Sequence, residues 1–203
     1  MAWVQDPNFG GVHTAVDAAA PFAVGGGNKV LSFGGGAMYE NAQSATDASI
    51  KFQLVNRVPA GNAPVNVSQP GVALRDSSGN MYILQFYLHP RGPNVNKGII
   101  FSIFRYEQSS DTFTSILAFA EFVIEFSAVS GDLTDVIDTL YEIEFRKESD
   151  SLSILVDGGA VSGVTDSTYS GPFNPALVNG IIIQSSLIVG FNNQIDNFAF
   201  RSL

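Results

Sequence analysis

The chain has 203 residues and no cysteine, enough for one sandwich-sized domain and incompatible with disulfides, zinc–thiolate sites or a thiol nucleophile. Nineteen Asp and Glu against ten Lys and Arg leave a net charge of −9, which excludes a nucleic-acid surface: phosphate binding needs clustered cations, and only Arg146-Lys147 are adjacent. Charged residues make up 14% of the chain, well below the roughly 25% of ordinary soluble domains, so Ser, Thr, Asn, Gln and Gly must carry the surface, as suits a protein held in an assembly or outside the cell.

The first residues, Met1-Ala-Trp-Val-Gln-Asp6, have neither a basic stretch nor a following apolar run of signal-peptide length, and nowhere do about 18 apolar residues follow one another. The expectation is no general-pathway secretion signal and no membrane insertion. An extracellular or virion-surface protein of this kind leaves its cell by lysis, particle assembly or a specialised exporter; cytoplasmic residence is the alternative. Trp3 reads as a staple for the terminus. Segment 12–27, with Ala18-Ala19-Ala20 and a glycine triplet, has little to bury, so residues 1–27 read as an arm docking on the domain or on a neighbouring subunit.

From there the chain reads as a run of strands. Asn28-Lys-Val-Leu-Ser-Phe33 lies between two glycine triplets, and Ser49-Ile-Lys-Phe-Gln-Leu54 alternates at period two. Gly71-Val-Ala-Leu-Arg75 and Met81-Tyr-Ile-Leu-Gln-Phe-Tyr-Leu88 flank the turn cluster Asp76-Ser-Ser-Gly-Asn80. Gly98 to Tyr106 follows, then Phe113 to Phe126, both rich in β-branched and aromatic residues. Segment 128–139 is the best helical candidate, but Gly131 and Asp132 interrupt it and a turn or loop fits better. Tyr141-Glu-Ile-Glu-Phe-Arg-Lys147, the turn Glu148-Ser-Asp-Ser151 and Leu152-Ser-Ile-Leu-Val-Asp-Gly158 come next. A Gly/Ser/Thr/Pro-rich loop leads to Asn179-Gly-Ile-Ile-Ile-Gln184 and Ile195-Asp-Asn-Phe-Ala-Phe200. No linker or internal repeat divides the series, so residues 1–203 are expected to form one all-β unit, an antiparallel β-sandwich of two packed sheets.

The order of these strands, with one ending Val156-Asp-Gly158 and the last built on Ile195-Asp-Asn-Phe198, resembles the concanavalin A-like, laminin-G-like jelly-roll superfamily, from about Val30 to Phe200. That superfamily includes lectins, carbohydrate-binding modules, adhesins, glycoside hydrolases and virion proteins, so the resemblance implies a fold and leaves the function open. Its retaining glucanases carry Glu-x-Asp-x-Glu on one strand; the nearest stretch here, Glu121-Phe-Val-Ile-Glu125, has Val123 where the Asp belongs. Four extended residues span about 13 Å, beyond the roughly 5–9.5 Å that glycosidase carboxylate pairs use. The two histidines, His13 and His89, sit in no hydrolase motif. A hydrolase is therefore the weakest of three readings.

A glycan-binding or adhesion module is the leading one, and a structural protein of a particle (a phage or virion decoration, head-fibre or tail component) is the alternative. A glycan or protein surface partner and an oligomer or larger assembly follow from these readings. The binding face is placed on one alternating set of the 81–89 strand, Met81, Ile83, Gln85, Tyr87 and His89, expected to be exposed, with Tyr82, Leu84, Phe86 and Leu88 in the core. Arg75, Gln85, Tyr87 and Glu121 are the candidate ligand residues, an aromatic platform ringed by planar hydrogen-bonding groups; they also read as ordinary cross-strand polar pairs. Glu142 and Glu144 are expected to point to solvent, and Tyr39 and Tyr169 to lie exposed in polar loops. A structural calcium ion, common in the superfamily, would draw on Asp196 with Asp6 or Asp17; Asn192-Asn193 reads equally as a hairpin turn.

Overall fold

A computed structural model describes residues 3–5, 13–17, 29–33, 36–40, 44–55, 69–89, 97–117, 124–126, 140–181 and 194–203. Among these residues the regular structure is entirely β: fifteen strands in two antiparallel sheets. One sheet has the order β1 (Trp3–Gln5), β4 (Gly36–Glu40), β14 (Asn174–Ile181), β6 (Gln69–Arg75), β7 (Met81–His89), β8 (Lys97–Glu107) and β10 (Ile124–Phe126), with β9 (Thr112–Leu117) also paired to β8. The other runs β13 (Gly159–Thr165), β12 (Ser151–Val156), β11 (Leu140–Glu148), β5 (Ala48–Val55), β15 (Gln194–Ser202), β3 (Lys29–Phe33) and β2 (His13–Asp17). No helix among the described residues is long and apolar enough to cross a membrane. Within segment 1–27, β1 pairs with β4 and β2 with β3, so pieces of the expected arm lie at the outer edges of the two sheets. The helical candidate 128–139 lies outside the described residues.

The two sheets meet over an aromatic core that follows from the period-two pattern. Ile50 and Phe52 of β5, Ile143 and Phe145 of β11 and Leu152 and Ile154 of β12 face Val72 and Leu74 of β6, Tyr82, Leu84 and Phe86 of β7 and Phe101 and Ile103 of β8, all fully buried. Phe52 and Phe86 stack across the gap with ring centroids 5.6 Å apart, and Phe86 meets Phe101, its cross-strand partner, at 6.3 Å. Fully burying one such ring contributes roughly 1.5–3 kcal/mol, and paired aromatics add a little more. Ala45, just before β5, exchanges backbone hydrogen bonds with Phe173, just before β14, tying the two sheets together at one end.

Turn chemistry sets the registers. Between β6 and β7, one carboxylate oxygen of Asp76 accepts from the backbone N–H groups of Ser78 and Asn80 and the other from the Asn80 amide, while Gly79 takes a φ of +90°. Asp157 and Gly158 have φ values of 49° and 82°, the left-handed pair that a two-residue hairpin with the right twist requires. The Val-Asp-Gly ending therefore turns the chain into a further strand, β13, where the sequence reading placed a loop. Gly159-Ala-Val-Ser-Gly-Val-Thr165 is poor in strand formers; it is held by pairing to β12 and by Gly163, where a Cβ would stand 2.8 Å from the Leu152 carbonyl oxygen. β14 starts five residues earlier than expected, at Asn174. Its Pro175 is opposite Leu74 of β6 but precedes the first residue paired to β4, so the missing N–H falls where β14 has one neighbour. The expected strand from Phe113 to Phe126 is β9 and β10, with 118–123 outside the described residues.

One expectation about faces is overturned. Met81, Ile83 and Gln85, assigned to an exposed face of β7, are all fully buried. Met81 and Ile83 join Ala73, Tyr106, Ala176 and Val178 in a second apolar cluster, with Phe104 packed against it. The run Met-Tyr-Ile-Leu-Gln-Phe has apolar residues at both parities, the pattern of a strand buried on both sides rather than one.

Candidate functional site

The expected ligand residues do not form one exposed patch among the described residues. Arg75 and Gln85 lie on the same face of neighbouring strands, because Gly71 is paired with Gln85 and Arg75 with Met81. That register separates them by four residues along the strands, about 13 Å; Gln85 is fully buried and Arg75 half-buried. Tyr87 is in β7, paired with Ile100 of β8, and Glu121 lies outside the described residues. Of the expected calcium ligands, Asp6 lies outside them too. Asp17 pairs with Lys29 at the end of β2, and Asp196 with Gln53 in β15. β3 runs between β2 and β15, so those two backbones are roughly 9.6 Å apart. No group of three potential metal ligands occurs among the described residues.

A polar site not anticipated from the sequence occupies the outer face of the seven-stranded sheet. With Ile50, Phe52, Ile143 and Phe145 turned inward, alternation turns Ser49, Lys51, Glu142, Glu144 and Arg146 outward. Arg201 joins them from β15 because a bulge between Asp196 and Ala199 resets that strand so that Phe200 faces the core. Register then makes a grid. Arg146, Ser49 and Arg201 lie in one row across β11, β5 and β15; Glu144, Lys51 and Ala199 lie in the next.

Glu144 is the centre. Its Oε1 accepts from the Ser49 hydroxyl in a short hydrogen bond, from Arg146 Nε at 2.8 Å and from Arg201 Nη2 at 2.7 Å; its Oε2 accepts from Arg146 Nη2 at 3.0 Å. The side chain is only 7% exposed, against 30% for Arg146 and 55% for Arg201. Burial alone would raise its pKa, but the hydrogen bonds of Arg146, Ser49 and Arg201 outweigh burial and hold the carboxyl at about 2, against an ordinary 4.5. The same contact raises the Arg146 pKa. Glu144 is thus a buried anchor, charged at neutral pH, contrary to the expectation of a solvent-facing acid. Glu142 does reach solvent, and there it pairs with Lys51 at 2.6 Å.

A second polar cluster lies between the sheets. Asp166, just past β13, accepts from the Tyr82 hydroxyl at 2.7 Å, from Arg105 Nη1 at 2.9 Å and from the Thr168 backbone N–H at 2.9 Å. The Tyr82 oxygen in turn accepts from the Tyr169 N–H, and the Tyr169 hydroxyl donates to the Tyr106 carbonyl. Burial opposes ionisation of Asp166, but these donors hold its pKa below the usual carboxylate range, while burial and Asp166 push that of Tyr82 up. Lys147, almost fully buried, places its ammonium 5.9 Å from the centre of the Tyr82 ring. Tyr169, expected to be exposed in a polar loop, is therefore a core residue, with its ring centroid 5.1 Å from that of Tyr82. The bonds of this cluster tie Asp166, Thr168 and Tyr169 to Tyr82, Arg105 and the Tyr106 backbone, which makes it a lock for the loop between β13 and β14. The Glu144 face presents charged groups to solvent and is the better candidate for binding.

No protein-family model and no curated protein sequence matches the chain. Among solved structures it is similar to the carbohydrate-binding module CBM66 from Bacillus subtilis, at 14% identity over 98% of this chain and 95% of that one, with a TM-score of 0.56. A CBM2 module of an evolved Dit from Lactobacillus casei BL23 phage J-1 aligns at 17% identity and a TM-score of 0.47, covering 97% and 80% of the two chains. The Caenorhabditis elegans galectin LEC-6 aligns at 11% and 0.42, covering 98% and 95%. The first of these likenesses shows the architecture, an antiparallel β-sandwich of the jelly-roll kind that spans nearly the whole chain.

Proposed function

We propose that this chain is a non-catalytic glycan-binding module whose binding face is the outer surface of β11, β5 and β15. The observation that carries the reading is the Glu144 anchor, which fixes two partly exposed guanidinium groups on the outer face of the sheet with Lys51 and Glu142 beside them. Charged planar groups held rigidly on a scaffold suit the recognition of hydroxyl-rich ligands, because little side-chain entropy remains to be lost on binding. The similarity in fold to a carbohydrate-binding module supports the same reading. A glycan array with and without calcium tests it: binding to at least one sugar class is expected, weakened in Arg201→Ala, and silence across a broad array would sink the idea.

A structural role in an assembly is the second reading. It is supported by β9 and β13, whose residues Thr112–Leu117 and Gly159–Thr165 are largely exposed yet contain no charge. Exposed strands at sheet edges normally carry charges, Pro or bulges against association; these two have bulges and lack the first two devices. Light scattering at increasing concentration tests this reading, and a strict monomer counts against it.

A further inference from the structure

Resting on the glycan-binding reading, we propose that the saccharide recognised at the Glu144 face carries an oxyanion, a carboxylate or a sulfate, and that Arg201 is the residue that reads it. The inference comes from the balance of donors and acceptors. A carboxylate has about four lone-pair positions, two on each oxygen; the Ser49 hydroxyl, Arg146 Nε and Arg201 Nη2 crowd onto Glu144 Oε1, and Arg146 Nη2 takes one position on Oε2. With Oε1 saturated and the side chain only 7% exposed, Glu144 acts as a positioning group rather than as the reader of a sugar hydroxyl. What the cluster can still offer a ligand is donors.

The two arginines offer them unequally. Arg146 is engaged side-on through two nitrogens and is 30% exposed; Arg201 is engaged end-on through one nitrogen and is 55% exposed. A guanidinium has five N–H donors in a planar fork, so Arg201 retains the edge suited to a two-point contact with a carboxylate or sulfate. Around Glu144 stand three cations, Arg146, Arg201 and Lys51, with Glu142 the second acid and already paired to Lys51. Glu148, exposed and two residues past Arg146, opposes an anion on that flank. Two strand spacings, roughly 9.6 Å, separate β15 from β11, so the Arg201 side is the favoured seat. The chain's net charge of −9 repels polyanions in general, so retention of one has to come from a local site.

The test is affinity electrophoresis or calorimetry of the full chain in about 50 mM salt against four polymers: polygalacturonate, its fully methyl-esterified form, dextran sulfate and unmodified dextran. The expected result is binding to polygalacturonate or dextran sulfate, which distinguishes carboxylate from sulfate, with the uncharged counterpart at least tenfold weaker. Arg201→Ala should weaken binding tenfold or more while leaving the thermal transition nearly in place, and Glu148→Gln should strengthen it several-fold. Binding to neutral polymers alone overturns the oxyanion inference and leaves the glycan reading standing. Anion binding that is unchanged in Arg201→Ala overturns the assignment of Arg201. Absence of binding here and on a broad glycan array removes both the inference and the reading beneath it.

Discussion

Arg146 and Arg201 are 55 positions apart in sequence, yet both are cross-strand partners of Ser49, one on each side of β5, and both donate to Glu144 Oε1. They are not equivalent. Arg146→Ala removes two of the four donors and leaves Oε2 of a buried carboxylate without the only partner it has among the described residues. Hydrogen bonds to charged groups contribute roughly 1.5–3 kcal/mol, and a stranded buried acceptor costs about as much again. Arg201 is more than half exposed, and exposed pairs contribute about 1 kcal/mol or less. Urea denaturation should show Arg146→Ala to be the more destabilising by at least about 1 kcal/mol; equal losses would contradict the anchor geometry.

Acid stability follows from the same carboxylate. Glu144 is depressed from 4.5 to about 2 in the folded chain. A depressed acid contributes stability that is complete above the unfolded value and disappears as pH falls through the folded one, so the loss runs from about pH 4.5 down to about pH 2. The full effect of that shift is on the order of 3 kcal/mol. Asp166, also depressed, acts in the same direction. Denaturation midpoints measured between pH 6 and pH 2.5 should fall steeply for the wild type. Glu144→Gln should be less stable at neutral pH but flatter over the acid range, and parallel curves would show that Glu144 does not govern it.

The alternation in 141–147 and 49–54 correctly anticipates Ile143, Phe145, Ile50 and Phe52 in the core, because a sheet face packed on another sheet demands period two. The same rule misleads at β7: it assumes one wet face, whereas Met81 and Ile83 were already apolar and belong to a second cluster. Glu144 was misjudged for a different reason. Its nearer partner, Arg146, was visible two residues away, but Arg201 and Ser49 come from strands that only the topology brings together. Tyr169 shows the same limit, since nothing in its Gly- and Ser-rich surroundings signals Tyr82. Asp157-Gly158 is a legible hairpin signal, but the Gly/Ser/Thr/Pro-rich composition beyond it argues for a loop and hides β13. The candidate site was thus less readable than the fold: core residues are chosen by type, while a polar cluster is chosen by long-range register.

The Asp166 lock makes a coupling prediction. Tyr82→Phe removes both the donor to Asp166 and the acceptor of the Tyr169 N–H. Asp166→Asn keeps an acceptor but sets an amide against Arg105. Each change should cost about 1–3 kcal/mol through a buried group left unpaired. Because the residues share a bond, the double variant should lose less than the sum, by at least about 0.5 kcal/mol. Strict additivity in denaturant unfolding would mean that the network does not act as a unit.

Two glycines flanking and within β13 separate backbone strain from steric clash. At Gly158, with φ of +82°, an added Cβ would meet nothing within 4 Å, so Gly158→Ala bears only the left-handed conformational cost, about 1–2 kcal/mol. Asn tolerates that conformation better than Ala, so Gly158→Asn should recover most of the loss. Gly163 is not in the left-handed region, but its Cβ would stand 2.8 Å from the Leu152 carbonyl oxygen, a backbone atom held in the β12–β13 ladder. Gly163→Ala must therefore displace one strand from the other, and no polar substitution relieves it. Thermal melts should place Gly158→Asn close to the wild type, Gly158→Ala below it by about 2–8 °C, and Gly163→Ala lower still with Gly163→Asn no better. If Asn rescued position 163 and failed at 158, the turn and the edge strand would have been assigned the wrong constraints.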